Sequence, residues 1–354
     1  MAFEQFTGTR PVAPQHAFDE AALARWMQGR VEGFDGSLKV EQFKGGQSNP
    51  TYLLVSGKRR YVLRRKPAGQ LLPSAHAVDR EFRVIRALHG TEVPVAKAHA
   101  LCEDRSVIGS MFYVMDCVDG RVIWDPRLPG MTPDERRAHY GELGRVMAAL
   151  HRVDPAAVGL GDYGKPGHYI ARQVARWTQQ YKAAETERIE AVEQLIAWLP
   201  ANMPQGDETA IVHGDYRFDN VIFHPTEPRI LAVLDWELST LGHPLVDFAY
   251  HCMTWHMAAG EGSRGLAGID LAALGIPTEA EYLQTYLQRT GRNIEVDPAH
   301  WRYFLVFNMF RLVGILQGIT ARALQGNASN AQAAETGKRT RPLAEQAWAL
   351  VQQG

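Results

Sequence analysis

An α+β fold is predicted from the order in which hydrophobic patterns follow one another. Short alternating runs crowd the first 118 residues, at Val40–Phe43, Thr51–Val55 and Arg60–Lys66, with two more ending at Asp116. Beyond them the chain reads mostly as helix, broken by one strand–turn–strand pattern between Ile211 and Leu234. With 354 residues the chain exceeds one average domain and suits two lobes sharing a cleft. The boundaries read as an N-terminal helical extension over 1–34, a small antiparallel sheet lobe ending in a hinge over 35–118, and a mostly helical lobe over 119–354.

Within the first lobe, Val40-Glu41-Gln42-Phe43 and Thr51-Tyr52-Leu53-Leu54-Val55 flank the turn-rich loop Lys44-Gly45-Gly46-Gln47-Ser48-Asn49-Pro50. A glycine-bearing hairpin of this kind can lay backbone N–H groups over phosphates. No GxxxxGK[ST] occurs, so this is not a Walker loop. In the next strand Val62, Arg64 and Lys66 share a face. Apolar residues at 78, 82, 85 and 88 then mark a helix with one buried stripe, and Glu81 lies beside it. Met111 to Asp116 is a further strand, and Asp119-Gly120 turns the chain out of the sheet.

In the second lobe, Thr132 caps a helix with Pro133 at its first position that runs to His151. Tyr169–Ala184, Ile189–Leu199, Leu245–Met257, Glu279–Thr290, Pro298–Leu324 and Arg341–Gln352 read as helices as well. A net charge of −1 and a pI near 6.9 give no basic footprint for nucleic acid. Three scattered cysteines without CxxC argue against a disulfide framework and for a reducing, cytoplasmic setting. The most apolar stretch, Tyr303 to Ile319, is interrupted by Asn308, Arg311 and Gln317, so no membrane span is expected.

The segment from Ile211 to Glu237, IVHGDYRFDNVIFHPTEPRILAVLDWE, carries the chemistry. Ile211 and Val212 end a strand, His213-Gly214-Asp215 turns sharply, and Asp215 faces the cleft within reach of a hydroxyl. Val221-Ile222-Phe223 and Arg229 to Leu234 form a hairpin that sets Asn220 and Asp235 at one end. An amide oxygen and a carboxylate are hard ligands suited to Mg²⁺, which fills its octahedron with phosphates and water. Phosphoryl transfer from ATP needs this set of groups.

HGDxxxxN, followed by a strand ending in aspartate and an aromatic residue, resembles the aminoglycoside phosphotransferase family, which shares the protein-kinase fold. The resemblance implies a bilobal protein-kinase-like fold with an ATP-binding first lobe. It makes Asp215 the catalytic base and Asn220 and Asp235 the metal ligands. It lays Gly45, Gly46, Gln47, Ser48 and Asn49 over the phosphates and Val62 over the adenine, with hinge groups from Asp116 to Val118 at the adenine edge. Arg64 stands where the kinase pattern has lysine, and Glu81 matches the glutamate that pairs with that cation. A guanidinium can bridge two phosphate oxygens, so Arg64 is favoured over Lys66 for the phosphates. Asp247, in GHPLVD, resembles the aspartate that braces the catalytic loop.

YVLRRKP, HGDYRFDN and LDWELSTLGHPLVDFAY look closest to the branch fused to acyl-CoA dehydrogenases, over about residues 35 to 325. That implies ATP and Mg²⁺ as cofactors, a small hydroxylated acceptor such as a hydroxyacyl-CoA, and an acyl-CoA dehydrogenase association. A regulatory pseudokinase and an aminoglycoside kinase are the alternatives. From Gly260 onward eight acidic residues face nine Lys/Arg, which is poor provision for a polycationic acceptor. Arg311 sits inside an apolar helix, and Arg322 lies about three turns on along nearly the same face. The buried arginine pairs with a core carboxylate, or Arg311 or Arg322 meets a carboxylate or phosphate on the acceptor.

Overall fold

The structure, a computed structural model, describes residues 8–44, 49–67, 77–206, 208–260, 264–292, 296–325 and 333–353. The chain begins with β1 (Thr9–Arg10), α1 (Glu20–Met27), β2 (Lys39–Phe43), β3 (Thr51–Ser56), β4 (Arg59–Arg65) and α2 (Val78–Leu88). Then come β5 (Ala98–Cys102), β6 (Phe112–Asp116), α3 (Pro133–Arg152), α4 (Tyr169–Ala184), α5 (Glu190–Ala201) and β7 (Ala210–Val212). The last stretch holds β8 (Val221–Phe223), β9 (Ile230–Val233), β10 (Thr240–Gly242), α6 (Pro244–Cys252), α7 (Leu271–Leu274), α8 (Glu279–Thr290), α9 (Pro298–Leu324), α10 (Ala333–Gly337) and α11 (Thr340–Gln352). Two compact units form: Met1–Asp125 with Ala156–Leu160 and Arg217–Ser239, and Pro126–Pro155 with Gly161–Tyr216 and Thr240–Gly354.

The first unit is built on a six-stranded antiparallel sheet in the order β1-β2-β3-β4-β6-β5. Strict alternation along β3 buries Tyr52, Leu54 and Ser56. One face of the sheet packs Tyr52, Leu54, Leu63, Phe112 and Val114 against Leu23 and Met27 of α1. Each such side chain contributes about 1.5–3 kcal/mol through burial. Helix α1 starts at Asp19, whose carboxylate accepts the Ala22 N–H at 2.9 Å. Helix α2 packs on β5 and β6, and its buried stripe of Val78, Phe82, Ile85 and Leu88 also takes in Glu81. Residues 1–34 hold α1 and also β1, which pairs Thr9 with Phe43 at the sheet edge. The β8–β9 hairpin belongs to this unit too, with Val221 opposite Val233.

Helices α4, α6, α10 and α11 of the second unit pack on α9, its central element. By length and composition α9 could cross a membrane, yet 67% of its most apolar window is buried inside the unit. Its polar residues make specific contacts there. Asn308 Nδ2 donates to the Val246 carbonyl at 2.8 Å, and Gln317 Nε2 to that of Ala184 at 2.7 Å. Helix α3 opens with a full capping box: Thr132 Oγ1 accepts the Glu135 N–H at 3.3 Å, and Glu135 accepts the Thr132 N–H at 2.7 Å. A small antiparallel pair, β10 with β7, carries the chain into the turn at His213.

Candidate active site

Arg64 is the centre of the first unit's chemistry. Antiparallel pairing of β4 with β6 sets it opposite Tyr113, and its side chain is only 12% exposed. Its Nε lies 2.7 Å from Glu81 Oε2, and Nη2 donates to Asp235 Oδ1 at 2.5 Å. Glu81 is completed by Asn49 Nδ2, donating to Oε1 at 2.8 Å, and by the Tyr113 hydroxyl, donating to Oε2 at 3.1 Å. Burial opposes charge on Arg64, but Glu81 and Asp235 outweigh it, so the guanidinium stays protonated with its pKa raised. Burial likewise pushes the Glu81 carboxyl up against the pull of Arg64.

Arg64, Val62, Asp116, Val118 and Asp235 line a pocket of 590 Å³ whose walls include Ile85, Met115, Ile222 and Val233, all drawn from the first unit. That volume and apolar lining suit a drug-sized ligand. Lys66 is not among the lining residues. At the hinge, the Asp116 N–H is bonded to the Lys97 carbonyl at 2.9 Å and that of Cys117 to Arg60 at 3.1 Å. Among the described residues the N–H groups of Val118, Asp119 and Gly120 have no backbone acceptor, and all three residues line the pocket. Asp116 also meets His99 Nε2 at 2.8 Å. Beyond the hinge the chain must pass the β8 strand closely, and only glycine fits: a Cβ on Gly120 would lie 2.2 Å from the Phe223 carbonyl oxygen. Gly45, Gly46, Gln47 and Ser48 lie outside the described residues, while Asn49 is buried behind the pocket on Glu81.

The β8–β9 hairpin brings Asn220 and Asp235 to one end, as their spacing predicts. The Leu234 N–H donates to the Asn220 carbonyl at 2.8 Å, and Asn220 is buried. Asp235 adopts the left-handed conformation, φ 61° and ψ 57°, uncommon outside glycine. Among the described residues no cluster of three His, Cys, Asp or Glu is present. One carboxylate and one amide at a hairpin tip instead fit a hard cation held mostly by phosphate and water.

In the second unit, Asp215 sits in the turn after β7. Gly214 takes φ 83°, open to glycine at little cost. Asp247, on α6, braces the turn: Oδ2 accepts the His213 N–H at 2.7 Å and Oδ1 the Gly214 N–H at 2.8 Å. His151 Nε2 reaches Asp247 at 3.2 Å, while its Nδ1 meets the Tyr286 hydroxyl at 2.6 Å. Burial alone would raise the Asp247 pKa; hydrogen bonding and charge from His151, joined by His213, hold it below the usual carboxylate range.

Two partners of the turn escape the sequence reading. The Tyr250 hydroxyl donates to Asp215 Oδ1 at 2.5 Å. Arg311 Nη2 donates to the Gly214 carbonyl at 2.7 Å. Tyr250 lies three residues after Asp247 on α6, a spacing that shares a helix face and could have flagged it. No carboxylate pairs with Arg311 among the described residues; a carbonyl and two aromatic rings surround it.

A sheet unit with a buried cation over a hinge pocket, and a helical unit with a braced HGD turn, define the kinase-like phosphotransferases. The chain belongs to the phosphotransferase enzyme family (APH), whose profile matches residues 39–302. It is similar to a Ralstonia eutropha protein provisionally named an aminoglycoside phosphotransferase, 59% identical, covering 95% of this chain and 99% of that one at a TM-score of 0.87. The fold alone is shared with an APH(4)-Ia aminoglycoside phosphotransferase solved with ADP and hygromycin B. That match has 14% identity and a TM-score of 0.60, and covers 92% of this chain and 97% of the other. Mouse acyl-CoA dehydrogenase family member 10 is 46% identical across 96% of this chain and 32% of its own length. Human family member 11 is 41% identical across 94% and 43%. The chain thus spans less than half the length of these curated relatives.

Proposed function

We propose that this protein transfers the γ-phosphoryl group of ATP, with Mg²⁺, to a hydroxyl group of a small-molecule metabolite. The Arg64 guanidinium, held between Glu81 and Asp235 at a pocket of 590 Å³, is the observation that carries the reading. In it Val62 and the hinge backbone from Asp116 to Val118 meet the adenine, and Arg64 meets phosphate oxygens. Asn220 and Asp235 hold Mg²⁺, which would neutralise charge on the phosphates. Asp215 orients the acceptor hydroxyl and takes its proton as the new P–O bond forms. The bond from the γ-phosphorus to its bridging oxygen breaks, and ADP leaves with the electron pair.

Distant neighbours of the same fold solved with ADP or AMP-PNP support the choice of nucleotide by analogy. The relatives' names make a hydroxyacyl-CoA the first acceptor to try, and an acyl-CoA dehydrogenase the first partner; a cytoplasmic setting is proposed from the three scattered cysteines alone. ADP release from Mg·ATP, measured across hydroxyacyl-CoAs, amino alcohols, sugars and aminoglycosides, tests the reading. Turnover with one acceptor, lost in Asp215→Asn, is expected. Absence of both turnover and Mg·ATP binding would overturn it.

A further inference from the structure

Among the described residues the second unit carries a buried cation with which no carboxylate pairs. Arg311 is buried to 7% exposure, and among the described residues only its Nη2 is hydrogen-bonded, to the Gly214 carbonyl. Its guanidinium carbon stands 5.6 Å from the Trp177 ring centre and 5.0 Å from that of Tyr250. No carboxylate pairs with it among the described residues, although a buried guanidinium ordinarily requires one. Asp247 is engaged by His151 and two backbone N–H groups.

A second cation shares the same indole. Arg176, exposed on α4, has its guanidinium carbon 5.9 Å from the Trp177 ring centre and likewise forms no ion pair among the described residues. The Trp177 Nε1–H is sealed from solvent yet has no acceptor there. Arg311, Arg176 and Arg172 all bear electrostatically on Tyr169, as does Asp247, so three cations share this neighbourhood with one carboxylate. Unanswered positive charge and an unanswered N–H donor both call for an oxygen anion.

We infer that Arg311 and Arg176, about the Trp177 indole, form a recognition site for a carboxylate or phosphate carried by the acceptor. The inference rests on Asp215 marking the acceptor end of the site, since Arg311 binds the carbonyl immediately before it and stacks on the tyrosine that holds it. An anion anchored here selects acceptors whose hydroxyl lies a short span from a negative group. The same charges repel a polycationic acceptor.

The test uses the full chain without nucleotide, so it does not depend on turnover. Glycerol 3-phosphate, 4-hydroxybutyrate and neutral 1,4-butanediol are titrated in a calorimeter at low salt. The anionic probes are expected to bind and the diol not to, with the stronger anion identifying phosphate or carboxylate as the preferred group. Arg176→Ala, at an exposed position, should weaken anion binding about tenfold, and Arg311→Lys by at least as much. Trp177→Phe, which keeps the ring but removes the N–H, should weaken it several-fold. Equal binding of diol and anions, no binding of any probe, or anion binding unchanged by Arg176→Ala would overturn the inference. If Arg311→Lys fails to fold, Arg176→Ala decides alone. The proposed kinase activity fails separately, through absent turnover and absent Mg·ATP binding.

Discussion

The surroundings of Asp215, in the second unit, and of Asp235, in the first, predict different failures on substitution. Asp215 has one carboxylate oxygen fixed by Tyr250 and its turn fixed by Asp247. Asp215→Asn should therefore keep the turn and nucleotide affinity while lowering kcat by about 10²–10⁴-fold in steady-state assays. Asp235 is the anchor for one edge of Arg64 and occupies a left-handed backbone position. Asp235→Asn, which tolerates that conformation, should abolish Mg-dependent ATP binding without unfolding the chain, as thermal shift with and without Mg·ATP will report. Arg64→Lys keeps one charge but loses the fork that spans Glu81 and Asp235, so KM for ATP should rise about tenfold. An unchanged KM would remove Arg64 from the phosphate-binding role.

Elements with a long period were legible in the sequence; those held by short-range chemistry were not. Helices α4, α8 and α9 occupy the residues their patterns predict, and the hairpin setting Asn220 beside Asp235 follows from two β-branched runs around a proline turn. Strand β1 has two residues and hence no period to detect. The Arg311 contact to the HGD turn is equally silent, because it joins a helix remote in sequence, whereas the spacing of Tyr250 from Asp247 is a usable signal. Local signals do carry measurable energy. Thr132→Ala removes the α3 capping box and should lower stability by about 1 kcal/mol in urea unfolding. Gly120→Ala forces a methyl onto the Phe223 carbonyl, a backbone atom that cannot rotate away, and should cost about 1–3 kcal/mol.

Part of the molecule's response to acid follows from groups buried in the second unit. Burial lowers His251 from about 6.5 in the unfolded chain to about 4 in the folded one. Above pH 6.5 the imidazole is neutral in both states and makes no difference. Between 6.5 and 4 the unfolded chain takes a proton that the folded chain refuses, so stability falls as pH drops, by up to about 3 kcal/mol. Asp247, depressed below its ordinary value, works in the range beneath: its contribution is present above the unfolded carboxylate pKa and is lost as pH falls through the folded one. Urea unfolding from pH 7 to 4 should show this slope, and His251→Gln should flatten its upper part. An unchanged slope in the variant would mean that another buried base governs the transition.

The two residues of β1 do more than lengthen a sheet. They lie along Gln42 and Phe43, where Thr9 Oγ1 also donates to Glu41 at 2.6 Å, and His16 follows with its carbonyl accepting from Arg65 at 3.2 Å. Without this cover β2 would present an open row of backbone donors and acceptors, a template on which a second chain can add its own strand. Deleting residues 1–16 should therefore leave a protein that scatters light and self-associates on warming. A lysine introduced at Gln42 of that shortened chain should restore its solubility.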